Sequence, residues 1–172
     1  GAKTYRSGAH ALVHGFGLLY TIPSIALFVL MPLILGTSII SPVNVLVALT
    51  IYTMALMVRS GVDAFNAVPE HVVESSRALG YTPARAFFTV ELPLALPVLF
   101  AGIRVATVAN IAMVSVGAVI GVSSLGTLFT DGLARSIPAE LITGVVLSAA
   151  LAYLADALLA LTARRLTAWR TA

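Results

Sequence analysis

The sequence predicts an all-α membrane protein, a polytopic bundle of helices, and three observations lead to this prediction. Of its 172 residues, 59% are hydrophobic and 10% are charged, whereas an average soluble domain is roughly 25% charged. The mean hydropathy is +1.02. No charged residue occurs between Arg6 and Arg59, a run far longer than the roughly 20 residues that cross a bilayer once. We therefore expect one transmembrane domain over residues 1–172.

Breaks in the apolar sequence divide it into spans. Small and polar residues at 36–38 and at Ser41-Pro42 end one helix and begin another. A polar segment at 60–91 separates the second span from the third. We expect four spans, at about 12–35, 43–59, 92–121 and 140–163. Residues 123–136 should form a short helix or a re-entrant loop, and the four-residue spacing of Gly117 and Gly121 predicts a close helix contact.

The basic residues indicate how the chain is oriented. With four spans, both termini lie on the same side as the polar segment. Eight of the nine basic residues outside the spans are on that side: Lys3, Arg6, Arg59, Arg77, Arg85, Arg164, Arg165 and Arg170. Arg135 is on the other side. Because short cytoplasmic loops carry an excess of Lys and Arg, we expect both termini and the polar segment in the cytoplasm.

The polar segment contains its own helix signals. Pro69 suits the first turn of a helix and Gly80 suits a left-handed stop, which predicts a short helix over residues 69–79. Thr82 and Pro83 predict the start of a second helix.

The two faces of this short helix differ in polarity. Helical spacing gives a charged stripe of Glu70, Glu74 and Arg77. It gives a small, nearly apolar face, expected to turn toward the spans, of Val72, Ser75, Ser76 and Leu79. Since acids four residues apart repel each other, cations from another protein lying across the stripe would explain it. A solvated stripe, with Arg77 partly neutralising Glu74, explains it equally well.

Several functions lack the residues that they need. Lys3 is the only lysine and follows no glycine-rich loop, so the chain cannot hold a phosphate-binding P-loop. His10 and His14 share a helix face, but no third ligand lies near them, and there is no cysteine. The arginines are scattered, which argues against nucleic acid as a partner. We expect no metal site and no catalytic site.

The polar segment resembles a known signature. Glu74-Ser75-Ser76, then Gly80, then the Glu91-Leu92-Pro93 stretch is similar to the E-A-A loop of bacterial ABC-importer permease subunits, with serines in place of two alanines. The resemblance implies the type I importer fold, of the MetI-like kind, with coupling helices that sit in a groove of an ATPase subunit. The residues implied in coupling are Glu70, Glu74, Ser75, Ser76, Arg77, Gly80 and Arg85.

Other stretches are similar to permeases of the osmoprotectant type: residues 20–28, residues 90–104 and Ser124-Leu125-Gly126. This resemblance implies import of a small solute such as glycine betaine, carnitine or choline across a bacterial cell membrane. It also implies two ATPase subunits that carry ATP and Mg, a second permease subunit, identical or paralogous, and an extracytoplasmic binding protein. Such permeases have at least one further span before this region, so a missing N-terminal segment is expected.

Polar residues within the spans suggest two further sites. Arg104 and Asp156 lie at similar depths, because each is about 8 to 11 residues from the cytoplasmic end of its span, and we expect them to face each other. Alternatively, Arg104 extends along its own stem to the cytoplasmic surface. Candidates for a translocation path are Tyr20, Pro23, Thr50, Tyr52 and Asn110. Interhelical hydrogen bonds or packing around a bent helix would explain each of them as well.

Two alternatives to osmoprotectant import remain at this stage. The chain could be a permease for an amino acid or another small zwitterion. It could also be a membrane scaffold whose polar segment only recruits a soluble protein.

Overall fold

The computed structural model describes residues 24–167 and Trp169, and within them every regular element is helical. The helices are α1 (Ser24–Leu35), α2 (Pro42–Asn66), α3 (Glu70–Ala78), α4 (Pro83–Ala86), α5 (Leu92–Val116), α6 (Thr127–Ala134) and α7 (Pro138–Leu166). A π-helical turn at Phe87–Glu91 joins α4 to α5, and a 3₁₀ turn at Gly117–Ile120 extends α5. The predicted all-α fold is confirmed.

Three helical runs are long and apolar enough to cross a membrane: Pro42–Asn66, Pro83–Ile120 and Pro138–Leu166. Four spans were predicted, and the difference lies in the first one. The described part of that span is α1, whose 12 residues reach about 18 Å, short of the roughly 30 Å of a hydrocarbon core. The first half of the predicted span lies outside the described residues. The described part of the chain therefore contains three full-length spans and a shorter apolar helix.

Helix α2 continues past the predicted end of its span at residue 59, as far as Asn66. No proline interrupts this stretch, and Gly61 stays within the helix because one glycine lowers helix propensity by only about 1 kcal/mol. Arg59 marks a change in polarity rather than the end of the helix. The end of α2 therefore carries charged residues toward α3.

The second predicted start within the polar segment is also found. The Thr82 side chain accepts a hydrogen bond from the backbone N–H of Arg85 at 3.4 Å, and Pro83 begins the helix. This helix then continues through the π turn into α5, a run of 38 residues. The π turn ends just before Pro93, which has no N–H for the usual bond to the carbonyl of Thr89. Instead the N–H of Leu92 bonds to the carbonyl of Phe87.

Helix α5 is central, because it packs against α2 on one side and α7 on the other. It runs antiparallel to α2: Gly102 lies beside Ser60, and Gly117 lies beside Val45. Helices α1 and α6 add to this layer, packing on α2 and α7 respectively. The main buried cluster lies where α1 meets the first half of α2, and it consists of Phe28, Met31, Val45, Ala48, Leu49 and Val122.

The predicted close contact at Gly117 and Gly121 takes another form. The α-helix changes to a 3₁₀ turn at Gly117, so the two glycines do not share an α-helical face. Gly121 ends the turn with φ of +87°, a conformation that favours glycine. Gly117 is buried, and an added Cβ would lie 3.4 Å from the Val45 side chain. One glycine therefore makes the contact with α2, and the other ends the helix.

Asn44 fixes the connection between α1 and α2. Its side chain is fully buried, accepts a hydrogen bond from the Thr37 hydroxyl and donates to the carbonyl of Ser38 at 2.8 Å. This one amide therefore satisfies polar groups of the loop where hydrocarbon would offer no partner.

We expect Gly102→Ala to destabilise the contact between α2 and α5. A Cβ at Gly102 would lie 2.5 Å from both the Cβ and the Oγ of Ser60. Ser60 is fixed to a helix, so relief of the clash requires the helices to separate. The expected loss in unfolding free energy is about 1–3 kcal/mol, measured by thermal unfolding of the purified protein in detergent.

Ser60→Gly removes both clashing atoms, so it should reduce the penalty of Gly102→Ala when the two are combined. Gly61→Ala is the matched control, because an added Cβ there meets no atom within 4 Å. It should leave stability unchanged or raise it slightly. If Gly102→Ala costs the same with Ser60 present and absent, this contact is not what the glycine provides.

Candidate functional site

Helix α3 is a short, exposed helix between two long ones. Its three charged residues, Glu70, Glu74 and Arg77, are all exposed. They border a cleft of 400 Å³ that Glu91 and the end of α2 also line. The cleft thus brings together three carboxylates and one guanidinium.

The charges of this cleft are not paired with one another. Among residues 24–167, ion pairs join only Arg104 to Asp156 and Arg135 to Asp131. Arg77 therefore makes no ion pair with Glu74. The hypothesis that Arg77 neutralises the stripe within the chain lacks a contact to support it.

The face that α3 turns toward the rest of the protein differs in part from the predicted one. Ser76 is buried and Val72 is half-buried, as expected, and Val73 joins them. Ser75 and Leu79 are exposed, and Leu79 is 78% exposed. Leu79 caps the C-terminal end of α3, where the chain already turns away, so helical spacing no longer governs its direction. The expectation that these two residues face the spans is wrong.

Gly80 adopts φ of +83°. Its N–H bonds to the carbonyl of Arg77 at 2.9 Å, and the N–H of Tyr81 bonds to that of Ser76 at 3.1 Å. These bonds close the end of α3 in a way that needs a left-handed residue, which glycine adopts without steric cost. Gly80 therefore sets the angle between α3 and α4.

Aromatic contacts hold this corner against the long helices. The rings of Phe65, at the end of α2, and Phe87, in the π turn, stack with centroids 5.5 Å apart. The Arg85 guanidinium lies over the Tyr81 ring, 4.6 Å from its centroid, within range of a cation–π interaction. These contacts join the chain that follows α3 to the end of α2 and to the π turn that leads into α5.

Two of the predicted path residues meet in one groove. Thr50 and Asn110 line a groove of 420 Å³ between α2 and α5, together with Leu46, Leu49, Thr53, Met54 and Met57. The amide nitrogen of Asn110 donates to the Thr53 hydroxyl at 2.7 Å. Tyr52 does not line this groove, and Tyr20 and Pro23 lie outside the described residues.

Thr53 was missed from the sequence, although a signal for it existed. It lies three residues after Thr50 and therefore on nearly the same face of α2. The Thr50 hydroxyl bonds to the carbonyl of Leu46 at 2.7 Å, within its own helix. The Thr53 hydroxyl makes the same kind of bond, to the carbonyl of Leu49 at 2.7 Å, and in addition links α2 to Asn110 of α5. This link cannot be read from local spacing.

The structure brings Arg104 and Asp156 together in a bidentate ion pair between α5 and α7. Nε and Nη2 of Arg104 each donate to one carboxylate oxygen at 2.7 Å. The pair lies six residues along α5 from Asn110, or about 9 Å toward the end that carries α3. It borders an open groove of 630 Å³. Arg104 therefore pairs across the helices instead of extending to the surface.

No group of three or more metal-ligating side chains occurs within the described stretch. The candidate site thus consists of the α3 surface, which is formed by the exposed residues Glu70, Glu74 and Arg77, and of two polar contacts of α5. The α3 surface can bind another protein. The Asn110–Thr53 and Arg104–Asp156 contacts place polar groups at the depth of the spans.

Comparisons with known proteins agree with this arrangement. The family model described as binding-protein-dependent transport system inner membrane component matches residues 10–168. The chain is similar to the inward-facing MetNI methionine ABC transporter, with a TM-score of 0.77 and 27% identity over 97% of this chain and 77% of the other. The predicted MetI-like fold is thereby confirmed.

Curated relatives point to the same family. The osmoprotectant import permease protein OsmW of Salmonella typhimurium is 41% identical, over 83% of this chain and 67% of the relative. The choline transport system permease protein OpuBB of Bacillus subtilis is 33% identical, over 94% and 73%.

A third relative is a longer protein. The ergothioneine transport permease/ergothioneine binding protein EgtU of Helicobacter pylori is 37% identical over 88% of this chain, which spans 27% of that relative. The matching family model, the fold and these relatives lead to one conclusion. The chain belongs to the family of inner membrane components of binding-protein-dependent transport systems, and within it resembles the osmoprotectant ABC-importer permeases.

Proposed function

We propose that this chain is the permease subunit of an ATP-driven importer that moves a quaternary ammonium osmoprotectant, such as glycine betaine, carnitine or choline, into the cytoplasm. The observation that carries the proposal is the α3 surface. A short helix with exposed, unpaired charges lies between two long apolar helices. Unpaired charges are costly within the bilayer, so such a helix is suited to bind a soluble partner.

The α3 surface binds an ATPase subunit in this proposal. Three carboxylates, Glu70, Glu74 and Glu91, border its cleft without an ion-pair partner in the described chain. A partner that presents arginine or lysine would complement them. Leu79, at the edge of the surface and 78% exposed, would supply an apolar contact.

The partner subunits supply what this chain lacks. ATP and Mg are held by two ATPase subunits, and this chain has no catalytic role. A second permease subunit and an extracytoplasmic binding protein complete the importer. The family description supports a binding protein, and the Helicobacter relative is named both as a transport permease and as a binding protein.

The orientation follows from the end at which α3 lies. Antiparallel packing gathers Arg77, Arg85, Arg164 and Arg165 at that end and leaves Arg135 at the other. By the positive-inside rule the α3 end is cytoplasmic, where ATP is available. The C-terminal end of α7 would then be cytoplasmic as well, and the N-terminus would join it if the first predicted span, of which α1 is the described part, crosses the membrane.

Transport in this proposal links the α3 surface to the spans. Closure of the ATPases displaces α3, the Gly80 corner and the Phe65–Phe87 stack carry the displacement into α2 and α5, and the spans change between inward-facing and outward-facing states. The solute passes between the two permease subunits, on a path to which the groove lined by Thr50 and Asn110 contributes.

An amino acid is the second candidate substrate, because the similar solved structure is a methionine transporter. The curated relatives favour the osmoprotectants, because three of them are named for osmoprotectants, choline, and glycine betaine/carnitine/choline. The Helicobacter relative is named for ergothioneine. A scaffold without transport is the third alternative, and an uptake assay separates it from the other two.

The test is uptake by the complex in proteoliposomes, with Gly80→Ala as the main variant. We expect the wild-type complex to take up glycine betaine, and the variant to take it up at roughly one tenth of that rate. An L residue in the left-handed conformation costs about 1–2 kcal/mol, and each 1.4 kcal/mol is about a factor of ten. The amount of assembled complex is measured in parallel.

Gly36→Ala is the matched control. Gly36 also has a positive φ, +65°, and an added Cβ meets no atom within 4 Å at either glycine. The two variants thus carry a similar backbone cost, one before α2 and the other after α3, and Gly36→Ala should keep near wild-type uptake. Equal loss in both variants would contradict the coupling role of Gly80.

The same assay separates the substrates. Uptake of glycine betaine or choline in preference to methionine supports the osmoprotectant proposal, and the reverse order supports the amino acid. If no solute enters while the complex assembles and binds ATP, the scaffold alternative is correct.

Thr50→Val tests the groove between α2 and α5. The Thr50 hydroxyl bonds only within its own helix in the described chain, so we expect little effect on folding. If the groove carries solute, kcat/KM for uptake should fall roughly threefold to tenfold, the effect of losing a hydrogen bond of about 0.5–1.5 kcal/mol.

Thr143→Val is the control for this variant. Thr143 is also exposed, and its hydroxyl bonds to the carbonyl of Ala139 at the same 2.7 Å, but it lies on α7 outside the groove. Uptake should not change. Equal effects of the two variants would assign the loss to helix stability rather than to the path.

A further inference from the structure

The Arg104–Asp156 ion pair is partly exposed, which a role in holding α5 against α7 does not require. The side chains are 40% and 30% exposed, and they border the 630 Å³ groove whose other lining residues are Ala101, Val105, Val108 and Ala109. Charged residues at membrane depth face protein or water rather than lipid, because an ion in hydrocarbon is costly. The groove volume is within the roughly 300–1,000 Å³ of small-molecule sites.

The guanidinium of Arg104 has donors to spare. It carries five N–H groups, and the ion pair uses Nε and one N–H of Nη2. The other three have no acceptor among residues 24–167. These donors could bind a carboxylate, which is the group that a guanidinium matches best.

Asp156 is suited to the opposite charge. Its carboxylate carries the negative charge of the pair and accepts one hydrogen bond from Arg104 at each oxygen. A quaternary ammonium group donates none and needs only negative charge and apolar contact. Val105 and Val108 supply apolar walls beside the pair.

We propose that the groove over Arg104 and Asp156 is a solute subsite, which binds the carboxylate of a zwitterion at Arg104 and its cationic end beside Asp156. This inference rests on the proposed transport of small solutes and adds the residues that recognise them. A paired site is neutral overall, as a zwitterion is. It therefore leaves no uncompensated charge in the membrane after the solute has moved on.

The test uses the absence of cysteine from the chain. Val105→Cys places a single thiol in the groove, at a residue that is 60% exposed. Its alkylation by a small maleimide is followed in the assembled complex in proteoliposomes, without nucleotide and after trapping with vanadate. Glycine betaine should slow alkylation in at least one of the two states. Choline has the same trimethylammonium group without a carboxylate, and it should protect less.

The deciding variant is Arg104→Gln combined with Asp156→Asn. It removes both charges, so that neither is left without its partner. It should raise the glycine betaine concentration for half-protection by roughly tenfold or more, as expected when a hydrogen bond to a charged group is lost. Asp131→Asn with Arg135→Gln removes the other ion pair of residues 24–167 and should change nothing.

Three outcomes would overturn the subsite. The first is a thiol that reacts in neither state, which would mean that protein or lipid covers the groove. The second is a lack of protection by glycine betaine, and the third is equal protection in the uncharged variant. Uptake of glycine betaine by the unmodified complex is measured separately, so failure of the subsite is distinct from failure of the proposed function.

Discussion

A polar side chain within a membrane span has to find its hydrogen-bond partners in the protein, because hydrocarbon offers none. This constraint accounts for the position of α5. Asn110 joins it to α2 through Thr53, and Arg104 joins it to α7 through Asp156. The same constraint holds at the loop before α2, where Asn44 satisfies backbone carbonyls. The apolar residues of these helices favour the membrane, but they do not by themselves select which helices become neighbours.

The corner formed by α3, Gly80 and α4 follows a different principle. There the charges of a short, exposed helix make no ion pair within residues 24–167, although Glu74 and Arg77 lie three residues apart on that helix. Two features shape the corner, namely the left-handed Gly80 and the Phe65–Phe87 stack. In the proposed function, this is where a bound ATPase subunit passes its motion to the spans.

The sequence was most informative where the signal is local. The helix starting at Thr82-Pro83 and the stop at Gly80 follow from the backbone preferences of those residues, and both are found. It was less informative where a boundary depends on chemistry rather than on the backbone: Arg59 marked a change in polarity, yet α2 continues to Asn66. Contacts across helices divided in the same way. The similar depth of Arg104 and Asp156 was enough to predict their pairing. The contact between Thr53 and Asn110 joins residues 57 positions apart, and no local pattern encodes it.

Site-directed cross-linking tests the central claim, that α3 binds the ATPase, most directly. Because the chain has no cysteine, Leu79→Cys and Ile39→Cys each place one thiol, after α3 and before α2, at residues that are 78% and 66% exposed. Each is labelled with a photoactivated cross-linker in the assembled complex. We predict a cross-link to the ATPase subunit from position 79 and none from position 39. A product from position 39, or none from position 79, would contradict the account.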